Sequence, residues 1–195
     1  MSSREQILAA VKSNQPPLSE LPLLDEFFQK HDYSLLDKFK EVLSGIGGTV
    51  TEVENIIEVI TQIKSHYNLD GIRVVSPLKS MKEIVNVYID QQLPHELENV
   101  ELAILPVHFG VAENGACWVS EELFSDRVLP FITQHLVLIV NKTEILPTMH
   151  EAYERIDQQQ YGFGTFIAGP SKTADIEQSL VLGAHGARSL WVFVV

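Results

Sequence analysis

The sequence predicts an α/β protein built on an open, mostly parallel β-sheet with helices on both faces. Strand-like and helix-like segments alternate along most of the chain, and parallel neighbours need such crossover helices. Two continuous apolar runs, residues 136–140 and 190–195, are typical of strands buried on both faces of a parallel sheet. A hydrophobic content of 45% over 195 residues is enough for one continuous core, so we expect a single domain over residues 1–195.

The N-terminal segment is predicted to be a short helix followed by a linker. Residues 4–12 are amphipathic and lack the apolar core of a secretory signal, so we expect a cytoplasmic protein. Pro16, Pro17 and Pro22 disfavour regular structure over residues 13–22.

The remaining elements follow from hydrophobic periodicity and turn residues. The helical pattern that begins at Tyr33 ends at Gly45, and a β-branched strand comes next. In such sheets, ligands collect beyond the carboxyl ends of the strands. The predicted strands are 49–53, 72–75, 100–107, 116–119, 136–140, 165–168 and 190–195, and the later predicted helices are 56–63, 81–89, 144–156 and 173–182.

Charge and composition exclude several kinds of partner and cofactor. With 14 basic and 26 acidic residues the net charge is −12, so nucleic acid would be repelled. The apolar runs are far shorter than the ~20 residues of a membrane span. Cys117 is the only cysteine, whereas an iron–sulfur cluster needs about four, so we expect no such cofactor in this chain. The seven histidines show no metal-binding spacing, and we assign no metal.

The segment 169–177, GPSKTADIE, lies between a predicted strand and a predicted helix. Ser171 or Thr173 can cap that helix, whose free N–H groups and positive dipole end favour an anionic ligand. Lys172 adds a positive charge. Asp175 and Glu177, however, are also typical of a helix N-terminus that is stabilised without any ligand.

A second short motif, GAHG at 183–186, follows the predicted helix. Gly183 can end the helix with positive φ, and Gly186 allows another tight turn. His185 between them could carry a proton near neutral pH, although a single structural hydrogen bond is the commoner role of a loop histidine. We expect Lys172 and His185 to face one cleft that holds a carboxylate or phosphate.

A third candidate is the turn GVAENG at 110–115, directly after the predicted strand 100–107. Asn114-Gly115 is a strong turn signal, so Glu113 is presented at a tight bend. Its carboxylate could act as a nucleophile or base, or could simply be solvated beside the turn.

GPSKTADIE followed by GAHG resembles the signature of the lactate-utilisation (LUD) family, and the similarity extends from the N-terminal REQIL through GVAENG to the final strand. The resemblance implies the fold class of NagB, ribose-phosphate isomerase and CoA transferases. It also implies a role in oxidising L-lactate to pyruvate together with two iron–sulfur partner proteins. The clusters would then belong to those partners.

The same resemblance leaves an alternative open. Glu-Asn-Gly at 113–115 is similar to the Ser-Glu-Asn-Gly motif of CoA transferases, whose glutamate forms an acyl intermediate, although Ala112 stands where that motif has serine. The alternative is therefore a free-standing acyl or CoA transferase with Glu113 as nucleophile. The chain departs from the usual LUD pattern at Asn114, Ala116 and Ala187.

These interpretations give a set of candidate site residues. The predicted catalytic residues are Glu113, His185 and Asp175, and the predicted ligand-binding residues are Asn114, Gly115, Gly169, Ser171, Lys172, Thr173, Glu177, Gly183 and Gly186.

Overall fold

A computed structural model of the chain describes residues 2–20, 32–88, 94–124, 126–157, 160–174 and 180–195. Short 3₁₀ helices occupy Lys79–Met81 and Pro94–Leu97. None of the described helices is long and apolar enough to cross a bilayer. The other elements, in chain order, are α1 (Ser3–Ser13), α2 (Leu35–Gly45), β1 (Thr49–Glu52), α3 (Ile56–His66), β2 (Val74–Ser76), β3 (Val87–Tyr88), β4 (Leu102–Pro106), β5 (Phe109–Val111), β6 (Ala116–Ser120), α4 (Leu129–Ile132), β7 (His135–Val140), β8 (Ile145–Leu146), α5 (Met149–Asp157), β9 (Gly164–Ile167), β10 (Lys172–Ala174), β11 (Leu180–Leu182) and β12 (Ser189–Val194).

Helix α1 belongs to the first of the two units into which the chain divides. Its start is fixed by a capping box, in which the Ser2 hydroxyl accepts from the Glu5 N–H and the Glu5 carboxylate accepts from the Ser2 N–H. None of its residues is buried, and Ile7 and Val11 are more than half exposed. Local hydrogen bonds rather than burial therefore define this helix.

The second unit, residues 31–195, is built on a parallel sheet. Among the described residues its strand order is β1-β12-β7-β4-β2-β3, and every neighbouring pair is parallel. Strands β7 and β12 lie in the middle and are buried over most of their length. The predicted mixed α/β fold with a mostly parallel central sheet is confirmed.

Side chains alternate between the two faces of this sheet, as the period of two in a strand requires. On one face Val137 packs in a cluster with Val59 and Ile63 of α3. On the other face Leu138 packs in a cluster with Phe39 and residues of a second sheet. Helix α3 therefore covers one face, whereas α2 and the second sheet cover the other.

The second sheet has the order β8-β5-β6-β9. In β6, Cys117 and Val119 point into the cluster shared with the parallel sheet, whereas Trp118 points outward into a cluster with Ala152 of α5. This sheet is thus sandwiched between the parallel sheet and α5.

The predicted helix 173–182 is wrong wherever the structure describes it. Strands β10 and β11 form an antiparallel pair in which Lys172 lies opposite Leu182. Two backbone hydrogen bonds hold the open end of this hairpin. The Ser171 N–H donates to the Ala187 carbonyl at 2.8 Å, and the Gly183 N–H donates to the Ser171 carbonyl at 3.1 Å. The cross-strand pairing and the bond to Ala187 favour an extended backbone over the helix that the spacing of the apolar residues predicts.

The predicted helix 81–89 is also wrong over its described part. Only Lys79–Met81 makes a 3₁₀ turn, and Val87–Tyr88 pairs with β2 as an edge strand. The cause is Asn86, whose N–H donates to the Val74 carbonyl and whose side-chain oxygen accepts from the Val74 N–H. These two hydrogen bonds hold residue 86 beside β2, so the chain pairs with the sheet instead of continuing as a helix.

The predicted helix 144–156 begins later than expected. Ile145–Leu146 first pairs with β5, and Pro147 separates it from α5. Helix α5 starts at Met149 behind a Thr148–Glu151 capping box, with the Glu151 N–H donating to the Thr148 hydroxyl at 3.4 Å.

Candidate functional site

A cavity of about 210 Å³ lies beside the first residues of β7 and β12. It is therefore at the amino ends of these parallel strands, not at the carboxyl ends where the sequence led us to expect a ligand. The reason is topological, because the loop that carries His185 enters β12 rather than leaving it. The lining residues are Pro130, Phe131, Leu136, Phe166, Ile167, Ala168, Gly169, Pro170, Ser171, His185, Gly186, Ala187 and Leu190.

Four of the predicted site residues line this cavity together: Gly169, Ser171 and Gly186, which were predicted to bind the ligand, and His185, which was predicted to be catalytic. The two motifs meet because the Ser171 N–H donates to the Ala187 carbonyl. A side chain on Gly186 would place its Cβ 3.2 Å from Ser171 Cβ, so the second glycine of GAHG permits this close approach.

Glycine is needed at position 169 for a different structural reason. Its φ is +75°, and an added Cβ would lie 3.0 Å from the Ile46 carbonyl oxygen at the end of α2. A residue with a side chain would be both strained and in contact with backbone there. The glycine therefore sets the path of the chain into the cavity wall.

The cavity combines an apolar wall with a polar end. Phe131, Phe166 and Leu190 contribute apolar surface, whereas the Ser171 hydroxyl and the His185 imidazole can form hydrogen bonds. None of the described lining residues carries a carboxylate. Such a lining can hold a small molecule that has a short apolar part and an anionic or hydroxyl group.

Lys172 and Thr173 are placed outside this lining. The Lys172 ammonium donates to the Ile46 carbonyl, and Thr173 pairs with Val181 in the hairpin. Gly183 adopts φ +80° in the turn after β11. The helix N-terminus that we expected to hold the anion is replaced by strand β10, so its dipole is not available to a ligand. Asp175 and Glu177 lie outside the described residues.

The third candidate segment lies elsewhere, at the turn between β5 and β6. The Glu113 carboxylate accepts from the Met149 N–H at 2.7 Å, which places it at the N-terminus of α5. The Asn114 side-chain oxygen accepts from the Ala116 N–H at 3.0 Å. An added Cβ on Gly115, whose φ is +69°, would lie 2.9 Å from Leu43 Cα. Each residue of this turn therefore has a structural contact that accounts for it.

Burial shifts the ionisation of Cys117 in β6 and of His108 just before β5. Burial raises the pKa of the Cys117 thiol to about 12, so this thiol stays protonated and inert at neutral pH. Burial also lowers the pKa of His108, with Glu122 opposing and Arg155 adding to the effect. The described residues contain no group of three His, Cys, Asp or Glu that could hold a metal ion.

Sequence reasoning missed the apolar wall. Phe131 lies in α4 and Phe166 in β9, and 35 positions separate them in the sequence. No local sequence pattern predicts that these two residues share a cavity, because only the packing of the second sheet brings them together.

Comparison with known proteins gives the class to which this fold and these motifs belong. The family model of the LUD domain matches residues 36–195, and the chain therefore belongs to the LUD domain family. This confirms the family resemblance read from the sequence.

The chain is also similar to individual relatives. It is 29% identical over 110 residues to lactate utilization protein C of Bacillus pumilus, covering 50% of this chain and 46% of that protein. It is 32% identical over 106 residues to lactate utilization protein C of Geobacillus kaustophilus, covering 51% of this chain and 43% of that protein. The matched segment thus spans about half the length of these relatives. An uncharacterised protein of Neisseria meningitidis is 22% identical and is covered over 94% of its length.

Among solved structures, the chain resembles a crystal structure of a DUF162 family protein from Deinococcus radiodurans. The TM-score is 0.62 at 20% sequence identity, and the match covers 83% of this chain and 96% of that one. This likeness supports the fold.

Proposed function

We infer that this chain is a component of an L-lactate utilisation system that oxidises L-lactate to pyruvate, in which it binds a small carboxylate. The observation that carries the inference is that two segments within the matched LUD domain, GPSKTADIE at Ser171 and GAHG at His185, meet in one cavity. The names of the relatives, lactate utilization protein C, supply the metabolic context.

The size of the cavity fits this class of ligand. Its volume of about 210 Å³ equals that of about seven water molecules at ~30 Å³ each, which suits a three-carbon hydroxy or oxo acid. The carboxylate would accept from the Ser171 hydroxyl, and the methyl group would pack on Phe131 and Phe166. Hydrogen bonds to a charged group are the stronger kind, so these donors would orient the ligand.

The oxidation itself needs an electron acceptor that this chain is not equipped to hold as a cluster. Cys117 is its only cysteine and is buried. We therefore propose that iron–sulfur partner proteins carry the electrons, that this chain holds the small acid, and that the system works in the cytoplasm.

Affinity purification of the tagged chain from lactate-grown cells tests the proposal. We expect cysteine-rich iron–sulfur proteins to co-purify, with a brown colour, and we expect growth on lactate to fail when the gene is deleted. Recovery of the chain without such partners, together with normal growth of the deletion strain on lactate, would contradict the proposal. Growth on glucose serves as the matched control.

A further inference from the structure

A second group of polar side chains lies at the amino end of the parallel sheet, on the face covered by α3. Ser189 and His135 are register partners on adjacent strands β12 and β7. The Ser189 hydroxyl oxygen is 2.6 Å from His135 Nδ1, and His135 Nε2 is 3.8 Å from a carboxylate oxygen of Glu101. The three side chains therefore form a serine–histidine–glutamate line.

Tyr67 completes this line from the end of α3. It lines the same small pocket as Ser189, and its ring lies 5.4 Å from the His135 ring. Burial raises the pKa of Tyr67, so the phenol stays protonated and can donate. In the tautomer that lets Ser189 donate to His135 Nδ1, the His135 Nε2–H faces Glu101.

The histidine is suited to act as a base. Burial is the main cause that lowers the pKa of His135, Glu101 opposes it, and Arg188 and His66 act with burial. The imidazole is therefore neutral at neutral pH, with Nδ1 free to take the Ser189 proton.

Ser189 borders a small pocket of about 110 Å³, distinct from the larger cavity. This volume equals that of about four water molecules at ~30 Å³ each, which is enough for an acetyl-sized group. The lining residues are Thr49, His66, Tyr67, Ser189, Leu190 and Trp191.

We propose that Ser189 is a nucleophile, activated by His135, that attacks short-chain esters or thioesters. Its hydroxyl oxygen bonds to the acyl carbon as the proton moves to His135 Nδ1. Collapse of the tetrahedral adduct expels the alcohol or thiol, which takes that proton. Water then attacks the acyl-serine, gives a proton to His135, and releases the acid as Ser189 regains its hydrogen. Tyr67 donates to the oxyanion, and Glu101 acts as a positioning residue for the imidazole.

The test is labelling of the whole chain with a fluorophosphonate probe and with p-nitrophenyl acetate, followed by peptide mass spectrometry. We expect an adduct on Ser189, a burst of p-nitrophenolate, and loss of both in Ser189→Ala. The burst rate should rise with pH with a midpoint below the ordinary histidine value of about 6.5, because His135 must be neutral. In Glu101→Gln, which keeps serine and histidine, the rate should fall roughly tenfold or more.

The chain offers a matched control in a second serine–histidine pair. His108 Nε2 lies 2.8 Å from the Ser120 hydroxyl, but Ser120 is only 1% exposed. Ser120→Ala should therefore leave the labelling unchanged. The proposal is overturned if the folded wild-type chain gives no Ser189 adduct, if labelling persists in Ser189→Ala, or if Glu101→Gln reacts at the wild-type rate with the same pH profile.

Discussion

At the turn between β5 and β6 the carboxylate of Glu113 accepts a hydrogen bond from the Met149 N–H, whereas in the loop before β12 the imidazole of His185 borders a cavity. Both residues belong to short segments, GVAENG and GAHG, that lie within the region matched by the LUD-domain model. The first motif holds the second sheet to its neighbours, and the second faces a space that a ligand can enter. Glycine-containing turns of similar composition can therefore serve either folding or ligand binding, and only the tertiary contacts of each turn show which role it has.

The largest expected effect is a loss of stability at the turn between β5 and β6. Gly115→Ala combines a positive φ of +69° with a Cβ 2.9 Å from Leu43 Cα, so we expect a loss of roughly 2–4 kcal/mol in the free energy of unfolding. Urea denaturation measures it. Gly71→Ala is the control, since its φ is +79° but nothing lies within 4 Å of the added atom. Equal losses in the two variants would show that the contact with α2 is unimportant.

On the ligand side, Ser171→Ala should weaken the binding of L-lactate by about 1.5–3 kcal/mol, as expected for a lost hydrogen bond to a charged group. The melting temperature should hardly change. Calorimetric titration measures the affinity. Asn114→Ala, at the other motif, should leave the affinity unchanged, and a similar loss in both variants would remove the distinction between the two regions.

A smaller effect is expected for Glu113→Gln. The neutral amide loses the interaction of a carboxylate with the N-terminus of α5, which costs about 0.3–1 kcal/mol of stability. Thermal unfolding measures this. Incubation of the wild type with acyl-CoA and hydroxylamine should give no adduct on the Glu113 peptide. An adduct there would instead support the acyl or CoA transferase alternative.

The smallest effect is expected for Lys172→Ala. Because the ammonium is held by the Ile46 carbonyl on an exposed surface, stability should change by about 0.5 kcal/mol or less. Lactate affinity should fall less than in Ser171→Ala, since Lys172 is outside the cavity lining. A larger loss in Lys172→Ala, measured by the same titration, would place the ligand nearer the end of α2.

The sequence predicted the parallel sheet well because its strands are continuous apolar runs, such as β7 and β12, whose burial on both faces leaves little choice of structure. It failed at the β10–β11 hairpin, where Lys172 pairs with Leu182 across antiparallel strands and the Ser171 N–H donates to the Ala187 carbonyl. The late start of α5 was readable in principle, since Pro147 and the Thr148–Glu151 pair mark a helix boundary.

The candidate site was predictable only in part, because some of its residues are brought together by tertiary packing and not by local sequence. Ser171 and His185 stand in recognisable motifs, and their convergence could be expected from the short distance between them in sequence. The aromatic wall could not, because Phe131 and Phe166 come from elements that meet only when two sheets pack. The amino-end location also depends on which strand the loop enters, which requires the observed topology.

Backbone amide NMR of the ¹⁵N-labelled chain, titrated with L-lactate, tests the central claim most directly because it reports on both regions at once. The account predicts shifts at Gly169, Ser171 and Gly186 that saturate with lactate, while the amides of Asn114 and Gly115 stay unchanged. Saturating shifts at Asn114 and Gly115 with none at Ser171 or Gly186 would contradict it.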